Sequence, residues 1–508
     1  METPSDLRDD HTSAPMTENT GPVATASARA GPNLGTRVFQ NTAAQLGGRA
    51  FGMACSAGTS VLLARYFGRE QFGEFGAIYA YLALFAFLGS FSLEPIIARE
   101  ISVRRAHAAQ ILHAAKLSAL ATGFAGAILA YLIGPLFGYS GQLRWLILLA
   151  AVDLLILPSL KFSSIIFQIE MRLWNSVGVN LFRQSFWFLA VFLLTRGHAT
   201  LSLVVLVRML CGVLEYFALD WQVRRSGLIQ GTQQFLSDEA RLLLRDALPL
   251  VLGAIGIGVY QRIDQVMLHK MVGDAALAPY VVAVQLTEVL NNLPVALMIS
   301  LFPALAQSVS DEQRFQHYLK TCYRLLLLVA FAACAVLIPL AEPLIRLLYG
   351  PQFSASASLF VVLVWSDVPI FFTVVIGNAL IAKRLQNYFP LTAAAGAVCN
   401  VLMNLVLIPK YGALGASWAT VVSYCLAGIL LFLLFPKTRQ LVLVGLRLGA
   451  PPFLLVAALT IGLHFVLWPV WTKLVVSICW YSVGVLLTRT LLRSDLQRAW
   501  ALWRGQFA

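Results

Sequence analysis

Charge is what this chain has least of. Of its 508 residues only 12% are Asp, Glu, Lys or Arg, 59% are hydrophobic, and the mean hydropathy is +0.76. A soluble chain of this length divides into domains with charged surfaces, so the composition excludes an ordinary soluble enzyme. Metal and nucleotide signatures are missing as well. There is no HExxH, no P-loop, no GxSxG and no DxD-like motif in a loop. Of the seven histidines, His107, His113, His198, His269, His317 and His464 are scattered along the chain with no ligand spacing. The seven cysteines form no CxxC pair and fall in or beside apolar runs, where they read as small core residues. No cofactor, no metal and no enzymatic chemistry is therefore expected. The short alternating segments of an outer-membrane barrel are absent. So is the basic start and apolar run of a cleavable signal peptide, and the first apolar run, near Thr42, is expected to act as an uncleaved anchor.

What is present is a series of apolar runs of about 20 residues, the length that crosses a bilayer as a helix. Fourteen candidate spans follow: 43–65, 72–92, 117–137, 144–166, 177–195, 200–221, 246–268, 279–303, 322–348, 359–381, 389–408, 413–435, 446–468 and 470–492. Connections after even-numbered spans carry more than twice the Lys and Arg of those after odd-numbered spans. The positive-inside rule then puts both termini in the cytoplasm. The same topology accounts for the net charge of +13, so no nucleic-acid partner is expected. The expected class is an all-α integral membrane protein with about 14 transmembrane helices. The expected divisions are a disordered cytoplasmic tail over 1–37, an N-lobe over 38–222, a cytoplasmic linker over 223–245 and a C-lobe over 246–436. Two further helices over 446–492 and a cytoplasmic tail over 493–508 complete the chain. The linker and the stretch 93–116 are each expected to hold a helix lying along the inner surface. Trp468, Trp471, Trp480, Trp500 and Trp503 read as interfacial anchors.

One stretch organises the rest. Residues 250–289 begin as a glycine-studded apolar run, carry Arg262 and Asp264, turn at Gly273 and re-enter an apolar run after Tyr280. Such charges cost roughly 2.5–3.5 kcal/mol each on insertion scales and mark a functional site by default. The turn has a partner at 67–75: Gly68 matches Gly273 and Phe75 matches Tyr280 at one offset. The alternative is two similar tight turns. Together with the matching span order, the paired turns predict two parallel six-span halves meeting at a cleft.

Loose motifs recur in order along 38–435: LARYFGREQFGEFG at 63–76, YQRIDQ at 260–265 with Gly273 and Tyr280, LFPAL at 301–305, and LLYG at 347–350. Asn378 with Ala382, Asn400 with Asn404, IPKYG at 408–412 and GASWAT at 415–420 follow. In these the chain resembles the polysaccharide flippases of the multidrug/oligosaccharidyl-lipid/polysaccharide exporter superfamily. The resemblance implies two six-helix lobes around a V-shaped, cationic central cavity. It also implies transfer of an undecaprenyl-diphosphate-linked oligosaccharide repeat unit from the cytoplasmic to the periplasmic leaflet of a bacterial inner membrane. Surface polymers such as exopolysaccharide or the O-antigen of lipopolysaccharide are the implied product. Membrane lipids, a polysaccharide polymerase and a chain-length regulator are the implied partners. The last two expected helices occur in only some of these families.

The candidate substrate residues are Arg49, Arg183, Arg208 and Arg262, with Arg49 and Arg183 in the inner half, Arg208 near the middle and Arg262 in the outer half. Arginine grips a diphosphate through its planar fork and stays charged. The competing reading is that each pairs with an acid among Asp153, Glu215, Asp220, Asp264, Glu288 and Asp367 and only locks helices. Asn400 and Asn404, one helical turn apart, could bind sugar hydroxyls or bridge helices. Asp264, Glu288 and Asp367 are the candidate coupling acids, with structural pairing as their alternative. Two other classes stay in play: a drug or cation exporter of the same superfamily, which favours acids in its cavity, and a membrane-embedded polymerase, ligase or glycosyltransferase. The latter usually needs a large outer loop, and no outer loop here approaches that size.

Overall fold

The computed structural model describes residues 34–139, 141–169, 173–227, 237–466 and 468–488. The tail up to residue 33, the middle of the expected linker, and the C-terminal tail with Trp500 and Trp503 lie outside the described residues. The N-terminal half comprises α1 (Leu34–Ala83), α2 (Ala86–Ser90), α3 (Glu94–Val103), α4 (Ala108–Ile133), α5 (Gly141–Ala150), α6 (Val152–Ile169), α7 (Leu173–Arg196) and α8 (Leu201–Arg225). The second half comprises α9 (Ser237–Val272), α10 (Asp274–Leu290), α11 (Asn292–Gln307), α12 (Glu312–Tyr349), α13 (Ala355–Leu363), α14 (Asp367–Ala382), α15 (Tyr388–Cys425) and α16 (Leu431–Leu434). Then come α17 (Pro436–His464) and α18 (Val470–Leu487). Helix is the form that satisfies every backbone group without water, which is why apolar sequence of this length adopts it throughout.

Among the described residues ten helices are long and apolar enough to span a membrane, or twelve if each of two bent pairs is one span. The expected fourteen is not reached on this count. Two pairs of sequence runs are each joined into one long helix: α1 holds the first two runs and α15 the eleventh and twelfth. Each joint is a single glycine with non-helical dihedrals, Gly68 (φ 69°, ψ −164°) and Gly412 (φ 57°, ψ −134°). Gly273 (φ 99°, ψ 171°) and Gly350 (φ 89°, ψ 172°) turn the chain in the same left-hand, extended region. That region is open essentially to glycine alone. The pair of similar turns seen in the sequence is thus half of a set of four.

The four turns gather at one end of the bundle, and there the lobes are closed on each other. Arg69 donates to the Ala275 carbonyl (2.9 and 3.1 Å), Arg65 to the carbonyls of Leu348 (2.6 Å) and Leu347, and Lys270 to the Leu136 carbonyl (2.8 Å). Arg65 caps carbonyls that the end of α12 leaves without partners, and Arg69 takes the Ala275 carbonyl, whose helical partner four residues on is Pro279 and has no N–H. His269 pairs with Asp274 (2.6 Å) and stacks on Tyr139 across the lobes, centroids 4.2 Å apart. Gly73 packs directly on the Asp274 backbone, and a Cβ at Gly76 would lie 2.9 Å from Val281. Beneath this seam one hydrophobic cluster runs through both lobes, from Phe72 and Tyr81 to Tyr280, Tyr349 and Phe360.

The opposite end, where the basic loops lie, is built differently. The first part of α9, Ser237–Leu248, bends 61° from Gly253–Val272. The bend contains Pro249, which cannot donate its backbone bond. This first part packs through Ala240, Leu243 and Ala247 on α3, α4 and α6. Its Glu239 pairs with Arg104 (2.6 Å) and its Asp246 with Arg99 (2.8 Å). It therefore belongs physically to the N-lobe and tethers the C-lobe through the bend. The closing pair α17 and α18 packs on α12: Tyr481 donates to the Leu328 carbonyl (2.7 Å), and Phe453 meets Phe331 edge-on.

Inside the C-lobe two polar braces cross the helices. Asp264 on α9, 4% exposed, accepts from the Tyr280 hydroxyl on α10, from Thr420 on α15 (3.2 Å) and from the Gln265 amide (2.7 Å). Asn404 donates to Asn400 (2.8 Å) and Asn400 to Ser423 (3.1 Å), both asparagines fully buried. Replacing Asp264 by Leu removes the acceptor that Tyr280 and Thr420 share and leaves their hydroxyls, 3.1 Å apart, with only each other and the Ala416 carbonyl; each hydrogen bond lost is worth about 0.5–1.5 kcal/mol net. We expect Asp264→Leu to lower the thermal midpoint of the detergent-purified protein by several degrees, and Asp264→Asn, which still accepts and donates, to lower it markedly less; intrinsic-fluorescence melts read both.

Candidate functional site: three connected chambers

Three cavities lie in a row between and within the lobes. The first, about 720 Å³, is in the N-lobe and is lined by Arg49, Lys161, Arg183, Arg208, Glu215, Asn180 and Gln184 among others. The second, about 560 Å³, lies between the lobes and is lined by Asp153 and Arg208 from one side and by Arg262, Gln265, Gln285 and Glu288 from the other. The third, about 820 Å³, is in the C-lobe. Arg208 and Asn292 line both the first and the second, and Val284 and Glu288 line both the second and the third. The chambers adjoin across these residues.

All four arginines singled out in the sequence reach this space. Helix rise places them about 28 Å (Arg49), 20 Å (Arg183), 16 Å (Arg262) and 10 Å (Arg208) from the glycine-turn ends of their helices. Arg208 and Arg262 stand in the reverse of the expected order, because α9 continues to Val272, beyond the expected end of that span. Three of the four have an acid: Arg183 meets Glu215 at 2.6 Å, Arg208 meets Asp153 at 3.8 Å and Arg262 meets Glu288 at 2.8 Å. Arg49, on an exposed face of α1, makes no ion pair among the described residues. Arg208 also sits over the Tyr79 ring, 4.1 Å from its centroid, with Phe75 and Trp187 at 5.9 Å. Weak hydration lets a guanidinium rest on aromatic faces without giving up its charge.

The charge is lopsided. Four cations and one acid line the N-lobe chamber, and two of each line the middle one. No Lys or Arg lines the C-lobe chamber, whose acids are Asp264 and Glu288. Arg262 and Asp264, two residues apart, face away from each other as helix geometry requires: Arg262 turns to the cleft and Asp264 into the brace.

The remaining candidates spread out. Glu288, 42% exposed, stands on the threshold between the middle and C-lobe chambers. Asp367 is fully buried at the start of α14, and neither of its oxygens has a hydrogen-bond partner among the described residues. Asn400 and Asn404 line none of the three chambers. The sequence reading did not single out Lys161, which lines the N-lobe chamber and pairs with Glu94 (2.8 Å). It also missed Asn180 and Gln184, which flank Arg183 on α7. The signal was there: Asn180, Arg183 and Gln184 fall three and four apart and form one polar stripe on an apolar helix.

Comparison with known proteins agrees with this architecture. The family model described as "Polysaccharide biosynthesis protein" matches residues 38–309, and the MatE model matches residues 249–407. Two Haloferax volcanii proteins are similar: the "Probable low-salt glycan biosynthesis flippase Agl15", 20% identical over 263 residues, and the "Probable flippase AglR", 27% identical over 186 residues. The first match covers 51% of this chain and 55% of the relative, the second 36% and 39%. The chain thus spans about half or less of the length of these curated relatives. Among solved structures, the lipid II flippase MurJ in an inward closed conformation superposes with a TM-score of 0.68 at 16% identity, over 90% of this chain and 100% of that one. An inward-facing multidrug resistance MATE family transporter superposes with a TM-score of 0.65 at 14% identity, over 78% and 96%. The all-α membrane fold with two lobes about a cavity is therefore that of the exporter superfamily, and the chain belongs to the polysaccharide biosynthesis protein family.

Proposed function

We infer that this protein is a flippase for a polyprenyl-diphosphate-linked oligosaccharide. The observation that carries the reading is the N-lobe chamber, with four cations against one acid and Arg49 without an acid partner. A diphosphate is bound best by forked, permanently charged donors that are already desolvated. Spaced along the cleft, Arg49, Arg183, Arg262 and Arg208 offer successive resting places for such a group at membrane depth. A drug-cation exporter would expose acids there instead, and here the cleft acids Asp153, Glu215 and Glu288 each face an arginine.

The finer assignments follow the resemblance. The lipid is undecaprenyl diphosphate, the direction is from the cytoplasmic to the periplasmic leaflet of the bacterial inner membrane, and both termini are cytoplasmic. The cycle is alternating access, with the glycine-turn end facing the periplasm and closed. A polymerase and a chain-length regulator would take the product onward. Of the three candidate coupling acids, Glu288 is the most open to a mobile cation, at 42% exposed against 4% for Asp264 and 0% for Asp367. A phosphate arriving at Arg262 competes with Glu288 for the guanidinium and frees the carboxylate to take up a cation.

Arg49→Ala and Arg262→Ala are each expected to abolish polymer export while the protein stays in the membrane, with the lipid-linked repeat unit accumulating in the cytoplasmic leaflet; full export by both single variants overturns the reading. Glu288→Gln is expected to keep substrate binding and to lose net transport at least tenfold in a reconstituted flipping assay. Transport at the unaltered rate removes Glu288 from coupling.

A further inference from the structure

The C-lobe chamber is the largest of the three, and the diphosphate reading makes no use of it. Its lining has no cation, so it offers a phosphate no opposite charge. It is not simply apolar either. Tyr260 and Tyr424 stack in its wall with centroids 4.5 Å apart and tilted by 31°. Their hydroxyls make no hydrogen bond to the described residues, and neither does the exposed amide of Gln261. The Asn291 side-chain oxygen, at the break between α10 and α11, is buried and has no partner. Asn378, on α14, uses its amide nitrogen on the Val374 carbonyl (2.7 Å) and lines the chamber.

We propose that the C-lobe chamber is a saccharide subsite, in which the sugar rings of the translocated lipid lie against Tyr260 and Tyr424 and hydrogen-bond Gln261, Asn291 and Asn378. This rests on the flippase reading and adds a division of the ligand between the lobes, charge in one and sugar in the other. A pyranose ring presents apolar C–H faces together with a rim of hydroxyls that both donate and accept. A mostly apolar concavity with a few convergent polar groups is the matching surface. A chamber of about 820 Å³ accepts a ligand of drug size, which is a few sugar rings. An isoprenoid tail fits the apolar part of the wall but leaves the Asn291 oxygen and the amide and phenol groups without partners in a space it has dried, at a cost. Val284 and Glu288 line both this chamber and the cleft beside Arg262, so a sugar in the one lies next to a diphosphate held in the other.

The test uses the full-length protein in detergent and four probes: citronellyl diphosphate, and the same lipid diphosphate carrying one glucose, galactose or N-acetylglucosamine. Affinities are read by microscale thermophoresis. At least one sugar-bearing probe is expected to bind the unaltered protein about tenfold more tightly than the sugar-free lipid, the gain that two or three added hydrogen bonds provide. Gln261→Ala, Asn291→Ala and Tyr260→Phe are each expected to reduce that gain and to leave the sugar-free affinity as it was. Gln261 is exposed, so its variant keeps the fold, and unchanged elution and melting confirm this for all three. No added affinity from any sugar overturns the proposal. Equal weakening of all four probes also overturns it and seats the isoprenoid tail in the chamber instead. Failure of every probe to bind the unaltered protein overturns the flippase reading beneath it.

Discussion

Moving a guanidinium group away from water is expensive, and this fold is arranged around housing several of them at bilayer depth. The cost is several kcal/mol for each ion even after relaxation, and it falls only where polar partners or an aqueous cleft replace the lost hydration. Here every one of the four is housed at a chamber wall. Arg183 and Arg262 take a carboxylate at close range, Arg208 takes a distant carboxylate and three aromatic faces, and Arg49 takes none. A pair built only for stability would be sealed among side chains, where apolar residues of the same size often do as well. Pairs that face open space, held through one or two oxygens, keep donors for something else.

That housing needs a cleft, and a cleft between two bundles needs something to keep the bundles together. The glycine-turn end supplies it. Four turns whose dihedrals suit glycine bring helix ends into backbone contact, and Arg65, Arg69 and Lys270 satisfy the carbonyls exposed there. None of these three is asked to hold a ligand. At the other end the bend in α9 lets one helix lie on the N-lobe and then enter the C-lobe. Among the described residues one end is a broad packed seam and the other is bridged by the first part of α9, an asymmetry that suits lobes rocking about a central site on the flippase reading.

Much of this was legible in the chain, for a plain reason. Apolar run length reports helices directly, because lipid leaves the backbone no other form, and charges in such runs are so costly that they mark the site. So Arg49, Arg183, Arg208 and Arg262 stood out as candidates by inspection, and all four line a chamber. What was not legible is what neighbours decide. Asn400 and Asn404 sit one turn apart exactly as a sugar-binding pair would, yet they bond to each other and to Ser423 on the far side of the same helix hairpin. Lys161 was hidden because its place at a span edge looks the same whether it faces a loop or a cavity. The number of spans differs with how Gly68 and Gly412 are read, since each turns the chain at a single residue between two runs that the sequence separates.

The lobes share a pattern of turns but not a chemistry, and that difference has a physical use. A lipid diphosphate with sugars attached is a strong anion joined to a neutral, hydroxyl-rich body. A single chamber lined by arginines would bind any anionic lipid of the membrane and would discriminate poorly, since charge attraction is long-ranged and indifferent to shape. A single chamber of tyrosines and amides would select shape but could not draw the charge out of water. With Arg262 and Glu288 at the threshold, the two tasks fall to adjoining walls of one space, and a ligand satisfies both only if its anion and its sugars are linked at the right distance. On the flippase reading, selectivity then comes from the C-lobe and affinity from the N-lobe, and substitutions in the two walls should separate into those that change which glycan is moved and those that change whether any is.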